Sequence, residues 1–146
     1  MRLSPIPVVL ALLAAPAHAG EAGELLFNDN CSGCHQLGGV GSPGLAPPLV
    51  DSELWGALGG KAASYVAGVL TGGLSGTIVA DGNTYTGLAM PSQAWMSDQD
   101  MSAVADYVFN DLNGLGLTIA PELFRETRGA PLTHADLRSL RKGLLP

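Results

Sequence analysis

The stretch "DNCSGCHQLGG", residues 29–39, determines how the rest of the chain is interpreted, because it holds both cysteines of this 146-residue sequence. Cys31 and Cys34 are separated by two residues, and His35 follows directly. Three chemistries use cysteines at this spacing: a zinc site, a redox-active dithiol, and covalent attachment of a haem. The sequence around the motif distinguishes between them.

Zinc and a dithiol both fit that surrounding sequence poorly. A structural zinc site generally has four protein ligands, and after residue 19 the chain offers only His134 as a further histidine. A thioredoxin-like dithiol follows a strand of a β-α-β unit. Here "GEAGELLFNDN", which precedes the motif, has the apolar spacing of an amphipathic helix.

Haem attachment fits the motif best. In a C-x-x-C-H sequence both thiols bond to the haem, and the histidine is an iron ligand. Two thiols three residues apart reach one porphyrin edge, and the next imidazole is brought under the iron. We therefore predict that Cys31 and Cys34 attach one haem c, and that His35 is its proximal ligand.

The residues alone leave the second iron ligand open. "TGLAMPSQAW" places Met90 in a loop that Pro91 stiffens. Met96 lies at the start of a predicted helix and is a weaker candidate, while Met101 falls on the apolar stripe of that helix and is expected in the core. His134, or no residue at all, are the remaining alternatives.

The chain begins with the features of an export signal. "MRLSPIPVVLALLAAPAHA", residues 1–19, contains one basic residue, then an apolar core, then a small-x-small triplet. The core is about ten residues long, too short to span a membrane. We expect a signal peptide cleaved after Ala19, a periplasmic product, and no membrane span in residues 20–146. These residues are expected to form one domain, with 121–146 as a C-terminal extension.

Charge is distributed unevenly along the chain. Residues 20–120 contain ten acidic residues and one basic residue, whereas residues 121–146 contain three acidic and five basic residues. An acidic body of this kind excludes nucleic acid as an expected partner. No general acid–base pair stands out either, so we do not expect an enzyme.

Local patterns predict an all-α chain with one small hairpin. Three main helices are expected, in "GEAGELLFNDN", "KAASYVAGVLTGG" and "SDQDMSAVADYVFNDLNG". Asp81-Gly82-Asn83 predicts a hairpin turn before the Met90 loop. Capping-box patterns start the third helix and a terminal one in "LTHADLRSLRKGLL". Residues 114–131 are expected to be a looser stretch.

Taken in order, these motifs resemble a class I cytochrome c. The resemblance runs through "GELLFNDNCSGCH", "GLAPPL", "YVAGVLTGG", "YTGLAMPSQAWMSDQDMSAVADYV" and "LTHADLRSLR". Within that class the chain is similar to small bacterial monohaem cytochromes that serve periplasmic dehydrogenases. The resemblance implies a cytochrome c fold around one covalent haem and a role as a periplasmic single-electron carrier. The alternative is a dedicated cytochrome subunit of a dehydrogenase or reductase complex, docked through the C-terminal segment.

The resemblance also implies roles for individual residues. Met90 matches the distal axial ligand, so the iron would have His/Met ligation. Pro47 matches the proline whose backbone carbonyl holds the proximal imidazole. Gly23, Phe27 and Tyr107 match the residues that pack where the first and last core helices cross. The expected partners are redox proteins, namely a periplasmic dehydrogenase or a terminal oxidase or reductase.

Four further side chains are candidates for contact with a cofactor, but each is expected to have a structural or surface role instead. Trp55, Tyr65 and Trp95 each carry a donor that suits a haem propionate, and core packing is the expected role of each. His134 begins a predicted helix and is expected on the surface.

Overall fold

The computed structural model describes residues 19–87 and 89–142, and the described chain is mostly helical with one antiparallel hairpin. The expected signal peptide therefore lies outside the described residues, except for Ala19. In chain order the helices are α1 (Ala19–Asn30), α2 (Ser32–His35), α3 (Ser52–Leu58), α4 (Ala62–Gly72), α5 (Asp98–Asp106), α6 (Pro121–Gly129) and α7 (His134–Arg141). The strands are β1 (Ile78–Ala80) and β2 (Asn83–Tyr85).

The predicted hairpin and helix starts are confirmed. Asp81 and Gly82 connect β1 to β2 with φ angles of 47° and 68°, as a two-residue turn of type I′ requires. At the start of α5, the Ser97 hydroxyl accepts a hydrogen bond from the Asp100 N–H at 3.1 Å. Thr133 and Asp136 form a complete capping box at the start of α7.

Helices α1 and α5 cross in close contact at Gly23. A Cβ atom on Gly23 would lie 2.3 Å from the Ala103 carbonyl oxygen and 2.9 Å from the Tyr107 Cβ. The ring of Phe27, fully buried, meets that of Tyr107 at a centroid distance of 5.3 Å. The crossing therefore fixes the end of α1, from which the Cys31 segment continues.

Helix α5 ends in a wide turn, which the regular apolar pattern did not predict. The turn comprises Tyr107–Asp111, and the Leu112 N–H donates to the Tyr107 carbonyl five residues back at 3.0 Å. Tyr107, Val108 and Phe109 are all buried in it. The extra residue in the turn coincides with three consecutive buried side chains, which one stripe of a regular helix does not accommodate.

The expectation of a loose stretch over residues 114–131 is wrong in its second half, because these residues include α6. Pro121 occupies the first turn, where its missing N–H costs no hydrogen bond, and Phe124 is fully buried. Helix α6 packs against α4 and α5, and α7 packs against α4 and α3. Helices α6 and α7 of the C-terminal extension are therefore part of the core. Within the described residues, no helix is both long and apolar enough to cross a bilayer.

Candidate functional site

A cavity of about 340 Å³ brings together the four residues expected to hold the cofactor and its iron. Cys31, Cys34, His35 and Met90 all line it. Its volume falls in the usual range for small-molecule and cofactor sites. Most of the remaining wall is apolar and includes Leu54, Trp55, Val69, Leu70 and Val108. A large, largely apolar ligand with a few polar or metal contacts suits this enclosure.

The cysteine segment continues directly from α1. The Cys31 N–H donates to the Phe27 carbonyl at 2.8 Å, and the His35 N–H donates to the Cys31 carbonyl at 2.9 Å. No disulfide joins the two cysteines, and Cys31 is half-buried whereas Cys34 is exposed. Burial, with a smaller contribution from Cys34, raises the pKa of Cys31 to about 11.

The ring of His35 is held by a hydrogen bond at one nitrogen, and the other nitrogen takes no part in that hydrogen bond. Its side chain is buried, and its Nδ1 lies 2.9 Å from the Pro47 carbonyl oxygen. A carbonyl only accepts, so Nδ1 donates, and the lone pair of the neutral ring is on Nε2. Burial lowers the pKa of His35, and the bond to Pro47 opposes that shift. A neutral imidazole with one nitrogen anchored is the form that ligates a metal.

Gly41 allows the loop after His35 to fold back onto Pro47. Its φ is 73°, and a Cβ atom there would lie 2.5 Å from the Pro48 nitrogen and 2.7 Å from the Pro47 carbonyl carbon. The Gly41 N–H also donates to the His35 carbonyl at 2.8 Å. Gly41 was not singled out from the sequence, although the high glycine and proline content of this loop is the signal that could have identified it.

Met90 is placed by backbone pairing with the segment that follows α4. The Leu74 N–H donates to the Met90 carbonyl at 3.0 Å, and the Met90 N–H donates to the Leu74 carbonyl at 2.9 Å. Met96 and Met101 are 5% and 0% exposed and are absent from the cavity wall. Among the methionines that the structure describes, Met90 is the one that faces the cavity.

The three aromatic residues considered as donors have different surroundings. Trp55 is buried in the cavity wall and donates from Nε1 to the Leu49 carbonyl at 3.0 Å. Tyr65 is also buried in that wall. The core role expected of Trp95 is wrong, because its side chain is 68% exposed and donates to the Gln93 side chain at 3.2 Å.

Two residues of α7 contact the body in ways that the sequence did not predict. His134 is half-buried rather than fully on the surface, and its Nδ1 accepts from the Ser75 N–H at 2.8 Å. Arg141 lines the cavity, with a side chain 9% exposed that lies 3.8 Å from the Asp51 carboxylate. Its Nη1 donates to the Tyr65 hydroxyl at 3.3 Å. Over the described part of the cavity wall, Arg141 carries the one permanent charge.

The helical fold and the cysteine-histidine cavity define the class of protein as a haem protein of the c type. A family model described as Cytochrome c matches residues 20–110. Two proteins named cytochrome c-552, one from Thermus thermophilus and one from a designated strain of that species, are each 39% identical over 80 residues, or 53% of this chain. The match covers 59% and 52% of those relatives. The chain thus spans a little over half of the length of each.

The chain belongs to the cytochrome c family and is a class I c-type cytochrome. Members of this family are electron-transfer proteins rather than enzymes. They bind haem c, an iron-containing porphyrin, covalently. The residues found here fit that group. Two cysteines with no disulfide between them and an imidazole anchored by one nitrogen line one apolar cavity. His134, the further ligand that a zinc site would need, is bonded to Ser75 and is absent from the cavity wall.

Proposed function

We propose that this protein is a periplasmic single-electron carrier whose one haem is attached through Cys31 and Cys34 and ligated by His35 and Met90. The observation that carries the proposal is the shared cavity, which these four side chains line together. When bound, the haem supplies an iron that accepts and releases one electron. The proposed function involves no reacting substrate.

The protein's own contribution is to hold the two ligands and exclude water. The Pro47 carbonyl fixes the ring of His35, and the two hydrogen bonds with Leu74 fix the backbone of Met90. The apolar wall limits solvent access, which together with His/Met ligation favours a raised reduction potential. Ligands that stay in place in both oxidation states suit electron transfer.

The distal ligand is tested by the weak far-red absorption band that a methionine-to-ferric-iron bond produces. We expect this band in the wild-type ferric protein, its loss in Met90→Ala, and its retention in Met96→Ala, which serves as the matched control. Loss of the band in Met96→Ala alone would assign the ligand to Met96. Rapid carbon monoxide binding by wild-type ferrous protein would instead indicate an open iron site, as in a haem sensor or a peroxidase.

The periplasmic location is proposed from the leader pattern of residues 1–19. Mass spectrometry of the purified haem protein should give a chain that starts at Gly20, recovered in the periplasmic fraction. A chain that starts at Met1 in the cytoplasmic fraction would contradict this. Blocking cleavage with Ala17→Leu should leave a longer precursor in the membrane fraction.

The electron donor and acceptor are proposed to be periplasmic redox proteins, a dehydrogenase on one side and a terminal oxidase or reductase on the other. In the alternative, the protein is a dedicated subunit of one complex and docks on it through the C-terminal segment. The buried faces of α6 and α7 pack on the body, which gives that segment a role inside the molecule. Recovery as a free monomer at native abundance supports a carrier, whereas stable co-elution with one enzyme supports a subunit.

A further inference from the structure

We infer that His134 and Arg138 of α7 are positioning residues for the distal ligand. The inference rests on the proposed assignment of Met90 as that ligand. Helix α7 lies beyond residues 20–110, the part that the family model matches. Its side chains reach Met90 through a short chain of hydrogen bonds that runs over the segment after α4.

The first contact in this chain is between His134 and Ser75. The Ser75 N–H donates to His134 Nδ1 at 2.8 Å, and the Ser75 hydroxyl oxygen lies 3.0 Å from the same nitrogen. A backbone N–H only donates, so Nδ1 of the histidine is the acceptor. The two residues are 59 positions apart, and their hydrogen bond joins the start of α7 to the segment that follows α4.

Arg138 engages the other backbone group of Ser75. Its Nη1 donates to the Ser75 carbonyl at 2.5 Å. The guanidinium also lies against Gly76, where a Cβ atom would be 2.7 Å from Nη1 and 2.9 Å from Cζ. Because the N–H and the carbonyl of Ser75 both bond to α7 side chains, this residue is fixed from both sides.

Ser75 is adjacent to the residue that pairs with Met90. Leu74 exchanges two backbone hydrogen bonds with Met90, at 3.0 Å and 2.9 Å. On the other side, Gly73 has a φ of 77°, and its Cβ would lie 2.6 Å from the Met90 carbonyl oxygen. The segment 73–76 is therefore held between α7 and the Met90 backbone, and a displacement of Ser75 is passed to Met90 through a single residue.

Helix α7 is anchored independently of these contacts. Leu137 is fully buried against α4, where a Cβ on Gly68 would lie 2.7 Å from its Cδ2. The capping box of Thr133 and Asp136 closes its first turn, and Arg141 bonds to Tyr65 near its end. Removing the His134 side chain should therefore loosen Ser75 without melting the helix.

The test is the rate at which imidazole displaces Met90 from the iron of the ferric haem protein, followed by stopped-flow absorbance. A lost hydrogen bond is worth about 1 kcal/mol, so we expect the displacement rate of His134→Ala to rise about fivefold. Arg138→Ala should behave similarly. His134→Asn should restore most of the wild-type rate, because its side-chain oxygen supplies an acceptor near the position of Nδ1.

A matched control separates positioning from general loss of stability. Leu140→Ala removes a buried apolar side chain of α7, whereas the α7 side chains that bond to Ser75 are those of His134 and Arg138. If this variant raises the displacement rate as much as His134→Ala at equal loss of stability, the positioning role is overturned. A wild-type rate in His134→Ala overturns it as well.

Met90→Ala, measured in parallel, distinguishes this inference from the proposed function. If Met90→Ala binds imidazole without a displacement step while His134→Ala exchanges like wild type, the positioning role alone fails. If Met90→Ala and wild type bind imidazole at the same rate, Met90 is not the displaced ligand and both proposals fail.

Discussion

The two sides of the cavity that present His35 and Met90 are built differently. On the His35 side the contacts of the ring itself are local: it bonds to Pro47, only twelve residues away, and Gly41 closes the loop between them. On the Met90 side, Ser75 depends on His134, which is 59 residues further along the chain. Contacts between residues close in sequence depend less on the rest of the fold than long-range contacts do. We therefore expect the Met90 side to open first under destabilising conditions.

The largest expected effect is that of Gly41→Ala on the His35 side. The left-handed backbone costs an alanine about 1–2 kcal/mol, and the overlap with the Pro47 and Pro48 backbone adds roughly 1–3 kcal/mol. We expect the free energy of unfolding of the haem protein, measured by urea titration, to fall by about 3–4 kcal/mol.

Gly44→Ala is the matched control for this substitution. Gly44 also has a positive φ, 78°, but a Cβ there meets no atom within 4 Å. It should cost only the backbone part, about 1 kcal/mol. Equal losses in the two variants would show that the close approach to Pro47 contributes nothing.

A smaller loss is expected from Gly73→Ala on the Met90 side. Its Cβ would lie 2.6 Å from the Met90 carbonyl oxygen and 2.9 Å from the Ser92 nitrogen, a slightly smaller overlap than at Gly41, so we expect about 2–3 kcal/mol. Displacement of Met90 by imidazole should also become faster, unlike in Gly41→Ala. Gly72→Ala, where a Cβ meets open space, should be neutral or slightly stabilising. Unchanged ligand displacement in Gly73→Ala would remove the contrast between the two sides.

Arg141→Gln tests whether α7 acts on the iron as well as on the Met90 side. A buried cation in the cavity wall opposes the extra positive charge of ferric iron, so its removal should lower the reduction potential. At an effective dielectric near 20 the effect is of order 1 kcal/mol, or roughly 40 mV for one electron. Potentiometric titration measures it, with the exposed Arg125→Gln as control. Equal potentials in wild type and Arg141→Gln would contradict the prediction.

The smallest effect concerns the pH dependence of α7. Hydrogen bonds from the Thr133 side chain and backbone lower the pKa of Asp136. Because the folded pKa lies below the unfolded one, this carboxylate stabilises the fold above its unfolded pKa, and the stabilisation is lost as pH falls through the folded pKa. Thermal unfolding across the acidic range should show this decline in wild type and a flatter profile in Asp136→Asn. Parallel profiles would rule out the contribution.

The parts of the molecule predicted from sequence are those whose signals are short. The Cys31–His35 motif, the Asp81-Gly82 turn and the Thr133 capping box are each defined by a few neighbouring residues, and the structure has the turn and the box as predicted. The family match identifies the cofactor that the motif predicts.

The features that were missed depend on residues far apart in sequence. Arg141 reaches the cavity and His134 reaches Ser75 only after α7 has packed on α4, and no local pattern encodes that docking. The exposure of Trp95 likewise follows from where its loop lies rather than from its own apolar character. Helix α6 is different, because local signals do indicate it: Pro121 at its start, and the helical spacing of Leu123, Phe124 and Thr127.

The wide turn Tyr107–Asp111 sets the direction in which the chain leaves the core helix. Beyond it, the Asn113 side chain donates to the Leu49 carbonyl at 2.9 Å and accepts from the Asp51 N–H at 3.3 Å, joining the end of the core helix to the loop after Pro47. The wide turn absorbs one extra residue, so a regular helix formed over the same residues would rotate everything after it by about 100°. Asn113 would then point away from Leu49, and the loop that follows Pro47 would lose this contact with the core helix although the proposed iron ligands are unchanged.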